Sequence, residues 1–193
     1  MCIAILNQNN ELPFDVIETS WDNNPQGAGL LYTDKNTKTL RAFKSYDLFD
    51  FYRNYLEVLD EAKDGIVILH FRIATQGVKS FDNLHPFINQ KGNLGFVHNG
   101  IISQFVNHRS TKSDTALFND EIVNFLDETF IGDKDRRHRL EQYVRSYNKL
   151  IFMNKYGKTC IINEKAGIWE NNNWYSNDSY CTSNMYAGHI KLK

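Results

Sequence analysis

Short apolar runs bounded by polar residues predict buried β-strands at several places along the chain. Residues 2–6 form the first run. Residues 66–69 (IVIL) are apolar without interruption, which is typical of a strand buried on both faces. Residues 28–33 and 39–43 flank a polar turn and predict a hairpin. Further strands are predicted at 94–98, 101–106, 150–153, 159–162 and 168–175, with Asn99-Gly100 as a tight turn between the first two.

Apolar residues at intervals of three and four predict helices elsewhere. The clearest lies at 47–62, where Asp47 can cap the first turn. A second helix is predicted after Ser113-Asp114, with Phe118, Ile122, Phe125 and Leu126 on one face, and a third at 137–147. Strands, then helices, then strands again, without regular βαβ alternation, indicate a layered α+β fold. We expect residues 1–193 to form a single domain.

Composition and charge exclude several classes of function. The chain has 22 basic and 23 acidic residues and a net charge of −1, so no global field favours nucleic acid or an anionic membrane. The basic run 134–139 is preceded by Asp133 and interrupted by Asp135, and it is interpreted as a solvated helix face. No run is long and apolar enough to span a bilayer, and no secretory signal is evident.

The cysteines and histidines favour neither disulfides nor a metal site. Three cysteines, at positions 2, 160 and 181, are an odd number and indicate a reducing, cytoplasmic location, which for a viral protein would be the host cytoplasm. No Cys-x-x-Cys pair occurs, and the histidines at 70, 85, 98 and 108 lack compact ligand spacing. We therefore expect no metal and no cofactor.

Four short motifs carry the candidate chemistry: Met1-Cys2, residues 70–77 (HFRIATQG), residues 96–102 (FVHNGII) and Ser113-Asp114-Thr115. Each motif alone has an ordinary structural reading. A cysteine after the initiator is usually a small buried residue, Asn99-Gly100 is a common hairpin turn, and Arg72 after a buried strand could equally form a structural ion pair.

Together, in this order and at these spacings, the motifs resemble the glutaminase domain of class II, N-terminal nucleophile (Ntn) glutamine amidotransferases. That group includes glucosamine-6-phosphate synthase and glutamine phosphoribosylpyrophosphate amidotransferase. The resemblance spans residues 2–126 and implies a four-layer αββα sandwich of two antiparallel sheets flanked by helices. It also implies hydrolysis of glutamine to glutamate and ammonia. Because the chain lacks a phosphosugar or ATP motif, we expect a separate synthase to accept the ammonia in trans, with a stand-alone glutaminase or amidase as the alternative.

The resemblance also assigns catalytic roles. Cys2, exposed by loss of Met1, is the expected nucleophile, and its own α-amine is the expected base, because a free α-amino group ordinarily has a pKa of about 8. Asn99 and Gly100 are the expected oxyanion hole, formed by the Asn side-chain amide and the Gly backbone N–H.

The substrate-binding roles follow in the same way. Arg72 is expected to bind the α-carboxylate of glutamine and Asp114 its α-ammonium, a pair of charges that suits a free amino acid. Thr75 and Gln76 match the start of a loop that covers the substrate. His98 is expected at the substrate side, packing or hydrogen-bonding beside Asn99.

Two other functions stay open at this point. An Ntn hydrolase acting on a different amide is favoured if Arg72 and Asp114 do not converge near Cys2. A non-catalytic binding or regulatory protein on the same fold is favoured if Met1 is retained.

Overall fold

A computed structural model describes residues 2–8, 10–73 and 77–181. Within these ranges the chain forms strands and α-helices in the following order: β1 (Ile3–Gln8), α1 (Phe14–Asn23), β2 (Ala28–Asp34), β3 (Leu40–Ser45), α2 (Leu48–Glu61), β4 (Ala62–Phe71), β5 (Phe87–Ile88), β6 (Leu94–Asn99), α3 (Asp114–Glu121), α4 (Lys134–Val144), β7 (Lys149–Asn154), β8 (Thr159–Ile162), β9 (Ile168–Glu170) and β10 (Asn173–Tyr175). Short 3₁₀ turns connect several of them.

The strands form two antiparallel sheets. The larger sheet has the order β3-β2-β4-β1-β10-β9, and the smaller has the order β5-β6-β7-β8. Strand β1 is therefore central in the larger sheet, between β4 and β10. Its first residue, Ile3, pairs with Phe71, the last residue of β4.

Three apolar clusters show how the layers stack. Side chains alternate along β1, so Ile3 and Ile5 pack with α1 and α2, whereas Ala4 and Leu6 face the smaller sheet. The cluster between the sheets includes Trp174 of β10. On the other face of the smaller sheet, residues of β6, β7 and β8 pack with those of α3 and α4. The result is the predicted four-layer α+β sandwich, with two helices on each outer face.

Most predicted elements are confirmed. The hairpin β2–β3, helix α2 and strands β4 and β6–β10 lie where the pattern predicts them. Asp47 caps α2 by accepting a hydrogen bond from the Asp50 amide at 2.7 Å. Trp174 and Tyr175 are buried, as expected of core aromatics.

Helix α1 was not predicted from the sequence. It buries Val16, Ile17 and Ser20, and so few apolar positions give a weak helical pattern. A usable signal is Pro13 directly before the helix, because proline suits the start of a helix and not its interior.

The predicted strand at 101–106 is wrong, and so is the Asn99-Gly100 hairpin. After Asn99 the chain leaves the sheet and makes a 3₁₀ turn at Ser103–Phe105. Strand β7 pairs with β6 instead, with Asn99 opposite Lys149. The Ile102 amide donates to the Asp114 carboxylate at 2.7 Å, so this segment bonds to helix α3 and not to a strand.

Three boundaries also differ from prediction. Helix α3 ends at Glu121, and Phe125, predicted on its apolar face, is 78% exposed in a 3₁₀ turn. Helix α4 begins at Lys134 and ends at Val144, earlier than expected at both ends. Strands β9 and β10 join the larger sheet and do not continue a meander from β8. Among the described residues, no helix combines the length and apolar character needed to cross a bilayer.

Trp174 provides a test of the layered core. Its indole is fully buried between the sheets and donates to the Glu164 carbonyl at 3.0 Å. Trp174→Ala is expected to lower the free energy of unfolding by about 3–5 kcal/mol, because a large cavity remains. Urea unfolding measures this loss. Trp169→Ala, at a 48% exposed tryptophan on neighbouring β9, is the matched control and should cost less than about 1 kcal/mol. Equal losses in both variants would contradict the assignment of Trp174 to the core.

Candidate active site

The Cys2 thiol lies where the start of β1 meets the end of β4. Its Sγ both donates to the Ile73 carbonyl and accepts from the Ile73 amide, each at 3.3 Å. The Cys2 carbonyl accepts from the Asn177 side chain at 2.8 Å. Burial raises the pKa of the thiol, while the Ile73 hydrogen bond and the Arg72 charge lower it to a smaller extent. The thiol is thus fixed in place and held mainly protonated in the resting site.

Arg72 follows β4 directly and is almost fully buried, with 3% of its surface exposed. Its amide donates to the Gly27 carbonyl at 2.8 Å, and its carbonyl accepts from Gln26 at 3.0 Å, so the backbone is held at both ends. Burial lowers the pKa of the guanidinium, and the nearby Cys2, Tyr46 and Asp114 groups oppose that shift. A cation is therefore held beside the thiol.

Asp114 is the first residue of α3 and is also buried. Its Oδ2 accepts from the Ile102 amide at 2.7 Å, whereas the cap of the helix is Ser113, which accepts from Ala116 at 3.1 Å. Only Ser113 makes that hydrogen bond, which leaves the Asp114 carboxylate turned to the loop after β6.

A narrow cavity brings these groups together. The described residues that line it are Cys2, Arg72, Ile73, Asn83, His85, His98, Gly100, Ser113, Asp114 and Thr115. A thiol, a guanidinium and a carboxylate from three distant parts of the chain therefore share one small space.

Gly100 and Asn99 lie at the end of β6, but only Gly100 is among the residues that line the cavity. Gly100 has a φ of +146°, and a Cβ there would lie 2.3 Å from the Asn148 Oδ1, so no larger residue fits. The Asn99 side chain donates from Nδ2 to the Ser176 Oγ at 2.9 Å. The same oxygen accepts from the Ala4 amide at 2.9 Å, which ties the end of β6 to β1.

Comparison with known proteins shows what this chain is similar to. No protein-family model matches the chain. Glutamine–fructose-6-phosphate aminotransferase (isomerizing) of Helicobacter pylori is 26% identical over 152 residues, which cover 72% of this chain and 24% of that protein. The Aquifex aeolicus protein of the same name is 32% identical over 91 residues, 47% of this chain and 15% of that protein. The chain thus spans about a quarter or less of the curated relatives it matches.

Two solved structures are similar to this chain in fold. Glutamine phosphoribosylpyrophosphate amidotransferase from B. subtilis, complexed with ADP and GMP, gives a TM-score of 0.54 at 15% identity, covering 93% of this chain and 42% of that chain. A structure of the allosteric regulatory enzyme of purine biosynthesis gives 0.50 at 16% identity, with the same coverage. The chain has the fold of a class II glutamine amidotransferase domain.

On this amidotransferase fold, the cavity gathers Cys2, Arg72, His98, Gly100 and Asp114 from the residues singled out in the sequence. Asn99 lies immediately behind Gly100 and is buried. Thr75 and Gln76 fall outside the described residues. Within the described part of the chain, no group of three or more His, Cys, Asp or Glu side chains is arranged to hold a metal ion.

His98 is bonded at both ring nitrogens. Nδ1 lies 2.8 Å from the Thr115 Oγ1, and Nε2 lies 2.8 Å from the Asn148 Oδ1. Asn148 in turn donates to the Val144 carbonyl at the end of α4. These hydrogen bonds connect His98, which lines the cavity, to α3 and α4.

Sequence reasoning missed several polar residues that hold the site: Asn83, Asn148, Ser176 and Asn177. Asn83 accepts from the Ser113 amide at 2.7 Å and donates to two loop carbonyls. Isolated asparagines carry no pattern that marks such a role.

Three histidines form a buried layer that includes the cavity wall. The rings of His70 and His85 are 3.9 Å apart, and those of His85 and His98 are 6.4 Å apart. Burial lowers the pKa of His70 to about 3 and also lowers the pKa values of His85 and His98. The layer is neutral in the folded protein.

This layer predicts a loss of stability in mild acid. Below pH about 6.5 the unfolded chain binds protons at these histidines and the native chain does not, so the free energy of unfolding falls by up to about 1.4 kcal/mol per pH unit for each histidine. The stabilisation is complete above that pH and is lost toward the lower native pKa values. Urea unfolding at about pH 7.5 and about pH 5.5 measures the slope.

Two substitutions distinguish the contribution of the buried histidines to this slope from that of an exposed histidine. His70→Gln should reduce the slope, whereas His138→Gln, at an exposed residue of α4, should leave it unchanged. A wild-type free energy of unfolding that stays within about 0.5 kcal/mol across this pH range would contradict a neutral buried layer.

Proposed function

We propose that this chain hydrolyses the side-chain amide of free glutamine, with Cys2 as the nucleophile. The observation that carries the proposal is the convergence of Arg72, Asp114 and the Cys2 thiol on one narrow cavity. The glutamine–fructose-6-phosphate aminotransferases similar to this chain, whose names include glutamine, support the choice of substrate.

The two buried charges suit the head group of a free amino acid. The Arg72 guanidinium can bind an α-carboxylate through two N–H groups, and the Asp114 carboxylate can accept from an α-ammonium. A peptide-bound glutamine lacks both charges, so it would form neither of these ionic contacts. The pair therefore selects free glutamine.

The reaction begins at the thiol. Loss of Met1 frees the Cys2 amine, which takes the thiol proton as Sγ attacks the amide carbon of glutamine. A C–S bond forms, the C–N bond breaks, and ammonia leaves with the proton returned by the amine. Water then attacks the thioester, which releases glutamate and restores the thiol.

The oxyanion that forms during each attack needs hydrogen-bond donors. The Gly100 N–H belongs to a residue that lines the cavity, and the Asn99 Nδ2 keeps a second hydrogen beyond the one donated to Ser176. Ser176 accepts that hydrogen bond and so orients the amide with its nitrogen toward β1. A donor of this kind contributes about 3–4 kcal/mol to catalysis.

The ammonia requires an acceptor. We propose that it passes to a synthase activity, because the proteins similar to this chain are named aminotransferases. An Ntn hydrolase acting on a different, uncharged amide is less favoured, since Arg72 and Asp114 both line the cavity with Cys2.

Substitution of the nucleophile tests the proposal. Cys2→Ala is expected to lower glutamate release from glutamine by at least about a thousandfold, because no other group supplies the covalent step. Its melting temperature should stay near that of the wild type, since only two hydrogen bonds to Ile73 are lost. Cys181→Ser, at a partly exposed cysteine, is the matched control and should keep activity within about twofold of wild type. More than about a tenth of wild-type activity in Cys2→Ala would sink the mechanism.

A further inference from the structure

His85 differs from the other residues of the cavity wall in its hydrogen bonding. It lies after the 3₁₀ turn at Phe81–Asn83, lines the cavity, and is 5% exposed. Neither Nδ1 nor Nε2 has a hydrogen-bond partner in the described structure. Buried polar atoms are nearly always paired, so an imidazole with two unpaired nitrogens indicates a missing partner.

The neighbouring histidines show that this feature is specific to His85. His98 is bonded at both nitrogens, and the His70 Nε2 lies 3.0 Å from the His98 carbonyl. The His85 ring is held by packing alone, 3.9 Å from the His70 ring and 5.0 Å edge-on to the Phe87 ring. Its orientation is therefore fixed before any ligand arrives.

The charges around His85 indicate what that partner is. Besides the two other histidines, the groups that act on its titration are Lys44 and Arg72, and both are cations. Burial next to these cations lowers the pKa of His85 and keeps the ring neutral, with one N–H donor and one acceptor nitrogen. A cationic setting and an unused N–H both favour an anionic acceptor.

We propose that His85 is a substrate-binding residue whose ring N–H donates a hydrogen bond to the same α-carboxylate that Arg72 binds. This inference rests on the proposed glutaminase function and deepens it. The guanidinium supplies charge, and the imidazole supplies a fixed second donor that sets the orientation of the carboxylate. His85 is thereby a determinant of specificity for α-amino acids over simple amides.

The experiment compares His85→Leu with His85→Gln. Leucine fills a similar volume without a donor, so KM for glutamine should rise at least about tenfold while kcat stays within about twofold. The His85→Gln side chain keeps an N–H donor at this position, so its KM for the substrate should rise less than that of His85→Leu. The melting temperature of His85→Leu should equal or exceed that of wild type, because two unpaired buried polar atoms are removed. A histidine needed only for structure would show the opposite, a lower melting temperature.

A substrate analogue locates the contact. 4-Aminobutanamide is glutamine without its α-carboxylate, so His85→Leu and wild type should have the same kcat/KM for it, within about twofold. His138→Leu, the same change at an exposed histidine of α4, is the control and should leave KM for glutamine unchanged. An unchanged KM in His85→Leu, or an equal loss with both substrates, would overturn the role of His85. A wild-type chain that hydrolyses no glutamine would instead overturn the proposed function itself.

Discussion

The antiparallel pairing of β1 with β4 is the constraint on which the site depends. Because Ile3 pairs with Phe71, Cys2 must lie beside the residues that follow β4, and its thiol bonds to both backbone groups of Ile73. A slip of one residue would turn every side chain of β1 to the opposite face and would move Cys2 out of the cavity. The register is secured because both faces of β1 are buried, one against helices and the other against the second sheet.

The other strands complete the site through the same pairing. Strand β10 lies on the opposite side of β1, so Ser176 and Asn177 follow it to the start of β1 and bond to Ala4 and Cys2. Strand β6 of the second sheet ends at Asn99, which bonds to Ser176 across the layers. The proposed nucleophile and the proposed oxyanion donors are thus positioned by backbone pairing and by one serine hydroxyl.

The site combines two buried charged side chains with a layer of neutral histidines. Arg72 and Asp114 are buried charges at the cavity, which is costly unless each is compensated. The neighbouring histidines at 70, 85 and 98 are buried, and burial lowers their pKa values so that their rings stay neutral. A neutral layer avoids adding a cation beside Arg72, so the proposed zwitterionic substrate would meet one strong charge at each end.

The sequence predicted the architecture well and the supporting contacts poorly. Apolar periodicity located β1, β4, β6 and α2 because each buries a continuous stripe or run. It failed for α1, which buries little, and at residues 101–106, where the chain makes a 3₁₀ turn and the Ile102 amide bonds to Asp114. The candidate site divides in the same way. Motifs marked Cys2, Arg72 and Asp114, and the cavity brings these three together. They gave no individual role to Ser176, Asn148 or His85, because those roles depend on contacts between residues far apart in sequence, which leave no local pattern.

The most direct test of the central claim, a glutamine-recognising nucleophile at Cys2, is the intact mass of the purified chain before and after treatment with 6-diazo-5-oxo-norleucine. This glutamine analogue alkylates a thiolate and releases its diazo group as N₂. We expect a chain without Met1 that gains one adduct, mapped by peptide sequencing to Cys2 and blocked by excess glutamine. A chain that stays unlabelled, or that is labelled at Cys160 or Cys181, would contradict it.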